Sequence, residues 1–103
     1  MTHPWEYAVV TQDDEQERID VKYAGPDQVA HHDAHKGALD LMLGAMGGKQ
    51  WELVSVNSPG RPDSNCITLF FKRPHDAHNR GAEELRELAR SASWSAEMAK
   101  GKL

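Results

Sequence analysis

Cysteine is nearly absent from this chain of 103 residues, and Cys66 is the only one. A single thiol excludes an internal disulfide framework and fits a reducing compartment, so a cytoplasmic protein is expected. Long apolar runs are also missing, and nothing approaches the roughly 20 residues of a membrane span. The opening Met1-Thr2-His3-Pro4-Trp5 has neither the basic start nor the apolar stretch of a signal peptide. Aromatic residues make up only 7% of the chain, and they are not interleaved with Arg and Lys. Positive charge is scarce too. Residues 1–73 carry 11 acidic and 7 basic side chains, residues 74–103 carry 5 of each, and the net charge is -4. No basic stripe is available to neutralise phosphates, which argues against a nucleic-acid partner.

Catalytic patterns are equally thin. Gly44, Gly47 and Gly48 fall at the end of a helical pattern instead of its start, so no phosphate-cradling loop is present. Cys66 opens an apolar strand with no activating base in sight, and Ser91, Ser93 and Ser95 read as helix surface. The expectation is a protein that is not an enzyme.

What is there is enough for one modest core. Trp5 to Gln12 alternates with β-forming residues at both phases, and Arg18 to Tyr23 alternates cleanly with Ile19, Val21 and Tyr23 on one side. Gly25-Pro26-Asp27 stops that second strand, and a helix is expected over 28–47. Its stripe is Leu39, Met42, Leu43 and Met46, at i, i+3, i+4 and i+7. Gly47-Gly48 is expected to supply the left-handed residue that closes it. Further strands are expected over 50–57 and 66–73, separated by a Pro- and Gly-rich loop and ended by Pro74. Together these give a two-layer α+β domain over 1–74, with an antiparallel sheet of three to four strands and one helix on a face (strands 5–12, 18–24, 50–57 and 66–73). The expected core sets Trp5, Tyr7, Val9, Trp51, Leu53, Ile67, Leu69 and Phe71 against the helical stripe. Val10, Val54, Val56 and Phe70 are then left for the other sheet face.

Residues 75–103 read as a C-terminal helical extension. Leu85, Leu88, Ala89, Ala92, Ala96 and Ala99 form a narrow stripe, with Trp94 and Met98 pointing the other way. Trp94 either folds back on the sheet or docks on another chain. Apolar residues on both sheet faces demand a second cover, which the C-terminal helix or a copy of the protein can supply. The sequence therefore points to a protein-interaction module, either a homo-oligomer or an adaptor bound to another protein, with Trp94, Met98, Leu85 and Leu88 as its partner-binding residues.

Six histidines are many for this length, and His-Asp-Ala-His occurs at 32–35 and again at 75–78. On a helix His31 and His35 stand one turn apart, a spacing that lets two imidazoles reach one Zn or other divalent transition metal ion. His75 and His78, with Asp33 or Asp76, are the candidates to complete such a site. Either His32 or His35 can equally border the core.

Trp5-Glu6-Tyr7-Ala8-Val9-Val10, a helix ending in Gly, Trp51-Glu52-Leu53-Val54-Ser55-Val56 and Phe71-Lys72-Arg73-Pro74 occur in that order. This succession resembles the small bacterial and phage family named domain of unknown function 4177. That family's pattern places Gly before the Trp, where this chain has Gln50, and Lys in the first strand, where it has Ala8. The resemblance implies a fold and carries no chemistry. The order of elements is also similar to the dodecins, flavin-binding shells in which a Trp stacks on the isoalloxazine. That likeness implies Trp51 as the flavin contact.

Overall fold

Strand β1 (Trp5–Gln12) lies at the centre of the fold, pairing with β2 (Arg18–Ala24) on one side and β5 (Ile67–Pro74) on the other. The computed structural model describes residues 4–12, 18–26, 28–57, 66–76 and 80–101. β3 (Val29–His35) pairs with β2, and β4 (Glu52–Asn57) pairs with β5, giving an antiparallel five-stranded sheet in the order β3-β2-β1-β5-β4. Helices α1 (Leu39–Gly48) and α2 (Gly81–Gly101) bury their apolar sides on one face of it. The architecture is α+β, with one more strand than the sequence suggested.

That extra strand is β3, which occupies the first part of the expected helix 28–47. Gly25 N–H donates to the Gln28 carbonyl at 2.9 Å, turning the chain back along β2 so that Ala24 to Arg18 pair with Val29 to His35. Ala30, His32 and Ala34 then face the helices, and two small alanines let α2 approach closely. A single 3-10 turn, Lys36–Ala38, leads into α1. The stripe of Leu39, Met42, Leu43 and Met46 does mark the true helix, with Met42 and Met46 fully buried.

The end of α1 also differs from expectation. Gly47 and Gly48 are its last helical residues, and Gln50 takes the left-handed conformation with φ 69°. Trp51 N–H donates to Met46 O at 3.0 Å and Gln50 N–H to Gly47 O at 3.1 Å, the two bonds of a Schellman closure.

β1 is inverted relative to the expected core. Glu6, Ala8 and Val10 are buried beneath the helices, whereas Trp5 and Tyr7 are exposed on the opposite face and Val9 is half-buried there. Both phases of β1 carry apolar residues, so alternation could not choose between them. In the phase observed, the buried Glu6 is paired with Arg73. Val10 accordingly belongs to the core, while Leu53 of β4 is half-exposed. α2 joins the same core through Ala82, Leu85, Ala89 and Ala92, with Leu88 packed against it.

Candidate functional site

A buried charged node stands where β1, β5 and α2 meet. Glu6 and Arg73 are direct partners in the β1–β5 register, and both point under the helices. Arg73 Nε donates to Glu6 Oε1 at 3.3 Å, Nη1 donates to the Lys49 carbonyl at 2.7 Å, and Nη2 donates to Glu84 of α2. The guanidinium also lies 4.3 Å from the centre of the Trp51 ring. Burial opposes the charge on Arg73, but its bond to Glu84, the fields of Glu6 and Glu84 and its bond to Glu6 together outweigh that. Its pKa is held above the usual arginine value. Beside it, His75 Nδ1 stands 3.9 Å from Glu6 Oε2, and neither atom has a hydrogen-bond partner among the described residues. Gly81 begins α2 directly above: a Cβ there would lie 2.7 Å from Glu6 Oε1 and collide with the Tyr23 ring.

This node fastens a helix to a sheet. Glu6 is wholly buried within it. Glu6, Trp51 and Arg73 are far apart in sequence, and the structure brings them into one contact. Their burial was not anticipated, although Glu6 and Arg73 occupying matched strand positions is the signal that could have revealed it.

No described element covers the opposite face of the sheet. Trp5, Tyr7 and Val9 of β1, Phe70 of β5 and Val54 of β4 stand on it, and Lys72 Nζ caps the Trp5 ring at 4.5 Å. Tyr7, Val9, Val54 and Phe70 line a shallow apolar groove of about 520 Å³. Trp5, Tyr7 and Val9 are the residues expected in the core, and they lie instead on the face away from the helices.

The expected partner residues separate. Leu85 is wholly buried and Leu88 partly so, and both turn inward on α2. Trp94 and Met98 remain outside, with Trp94 64% exposed. Trp94 therefore does not fold back on the sheet. It borders a polar hollow of about 990 Å³ beside the β3 edge, together with Arg18, Asp33, His35, Arg90 and Glu97.

The histidines separate as well. His31 and His35 lie on a strand, four residues or about 13 Å apart, so the helical spacing that joined them is lost. His35 Nδ1 instead accepts from Gly37 N–H at 3.0 Å, capping the 3-10 turn. His32 Nε2 makes a 3.0 Å bond to the Ala82 carbonyl of α2. His75 belongs to the buried node, and His78 lies outside the described residues. His31 gathers a different set: its Nε2 is 3.0 Å from Asp20 Oδ1 and 4.0 Å from Asp33 Oδ1. Asp20 and Asp33 face each other across β2 and β3, and the three ligand atoms lie within 4.8 Å of one another on the exposed face. Trp51 is only 5% exposed. The Arg73 guanidinium already lies over its ring.

Comparison with known proteins adds no relative: no family model, curated protein or solved structure matches this chain.

Proposed function

We propose that this chain is a non-enzymatic self-assembly module, a protein-interaction domain whose partner is a second copy of itself. The observation that carries the reading is the open sheet face. Both helices occupy one side of the sheet, and the other side exposes Trp5, Tyr7, Phe70 and Val54 around an apolar groove. Contiguous exposed aromatic and aliphatic side chains of this kind mark association surfaces. Tyr and Trp rank among the strongest anchors at interfaces. The mass of untagged protein in solution tests it. A multiple of 11.5 kDa is expected, and replacing Tyr7 and Phe70 together by Lys should lower the assembly state without unfolding the domain. A monomer at tens of micromolar overturns the reading.

The trio Asp20, His31 and Asp33 favours a second reading, binding of a divalent transition metal on the β2–β3 surface. One imidazole and two carboxylates suit zinc. Zinc at 100 times its dissociation constant should stabilise the fold by about 2.7 kcal/mol. Equal melting temperatures in EDTA and in zinc would remove this alternative.

A further inference from the structure

The two edges of the sheet are treated differently. β3 carries His31, Asp33 and His35 on its open side, and Ser93 of α2 reaches over to accept the His35 N–H at 2.8 Å. Charged and polar side chains and a covering helix are the usual devices that keep an edge from pairing. β4 carries Glu52, Ser55, Asn57 and one irregularity of register, but no basic side chain, and no described helix reaches over it. Leu53 and Val56 are about half exposed, at 49% and 51%, and Val54 is exposed too. Among the described residues, nothing covers the strand on either face. A ligand lying on one face would leave the other uncovered, whereas a second sheet-and-helix domain continues both layers at once.

We infer that β4 pairs antiparallel with β4 of a second copy, joining two sheets into one of ten strands. This rests on the self-assembly reading and specifies its contact. The irregularity between Leu53 and Ser55 supports it in a particular way. Leu53 pairs with Phe71 and Val56 with Leu69, so both lie on the helix side, while Glu52, Ser55 and Asn57 pair with the open-face residues Lys72, Phe70 and Thr68. Val54 also lines the open-face groove. A regular strand would set residues 53 and 56 on opposite faces; the extra residue returns them to the same one. One antiparallel register pairs all six residues: Glu52 with Asn57, Leu53 with Val56, and Val54 with Ser55 of the other copy. In it every pair shares a face. The apolar pairs fall together, and Glu52 meets an amide instead of a second carboxylate. The two-fold symmetry of a homodimer requires such self-complementarity.

Engineered thiols read this register directly. In a Cys66→Ser background, one chain carries Leu53→Cys and another Val56→Cys. Both sites are half exposed, so cysteine is tolerated there. Paired residues lie about 4.5–5.5 Å apart between Cα atoms, within disulfide reach. Oxidised glutathione should therefore link the mixed chains into a dimer of one of each. Either chain alone should stay unlinked, because its two thiols are offset by three residues, about 10 Å. Leu53→Lys should weaken association at least tenfold. Light scattering of the Cys66→Ser protein separates the possible failures. An assembly that does not cross-link in the mixture, or links as well in either chain alone, overturns the β4 contact and leaves self-assembly standing. A monomer overturns both.

Discussion

At the scale of single residues, Gln50 and Arg73 show how local conformation and burial set the energetics. Gln50 closes α1 with φ 69°, a region that costs a residue with a Cβ roughly 1–2 kcal/mol. Gln50→Gly should stabilise the protein by about 0.5–1 kcal/mol, the relief of strain being partly offset by the entropy of a freer unfolded chain. A higher urea midpoint at unchanged slope would show it. Arg73 presents the opposite case. Replacing it with Met leaves Glu6 as a buried carboxylate without its cation, which typically costs about 3–5 kcal/mol. Glu6→Gln should cost clearly less, because an amide oxygen still accepts from Arg73 and Glu84 still neutralises it. Equal losses in the two variants would mean that the pair acts through packing alone.

Among the elements, legibility followed how sharply each local pattern excluded its alternatives. β2 was clear because Ile19, Val21 and Tyr23 alternate with polar residues, and all three are buried. β5 was clear because Pro74 ends it. β1 offered apolar residues at both phases, and the partner of its buried Glu6, Arg73, is distant in sequence. β3 was hidden because Val-Ala-His-His-Asp-Ala-His has little β-propensity. Its strand form comes from pairing with β2 and from α2 lying over Ala30 and Ala34. The same error joined His31 to His35 and kept Asp20 out of the candidate metal set. On α2, the small-residue stripe correctly identified the buried side, with Leu85 innermost. Trp94 projects from its other side and serves no role in the core. Trp94→Ala should therefore change stability by no more than about 0.5 kcal/mol. If α2 adds to the assembly surface, the same variant lowers the association constant, as sedimentation would reveal. A large loss of stability would instead show that Trp94 packs within its own domain.

For the whole molecule, the described residues leave the sheet covered on one side, closed at one edge and open at the other side and edge. A chain of 103 residues buries a smaller share of its surface than a larger domain does, so its stability margin is narrow. Burying Leu53, Val54, Val56, Tyr7 and Phe70 in an assembly enlarges that margin by removing apolar area from water at about 25 cal/mol per Å². In the proposed assembly folding and association are linked, and stability should depend on protein concentration. For a dimer that unfolds to two chains, each tenfold rise in concentration contributes about 1.4 kcal/mol. Divided by an unfolding entropy of about 2.1 cal/mol/K for each residue of both chains, this raises the melting temperature by about 3 °C. An isolated monomer shows no such shift. The dependence should be strong in the native sequence and weaker in Leu53→Lys and in the paired Tyr7 and Phe70 variant. Calorimetry over a hundredfold concentration range reads it without a label or tag. A constant melting temperature across that range would mean that the domain is stable alone and that its open face and bare edge do not contribute to holding it folded.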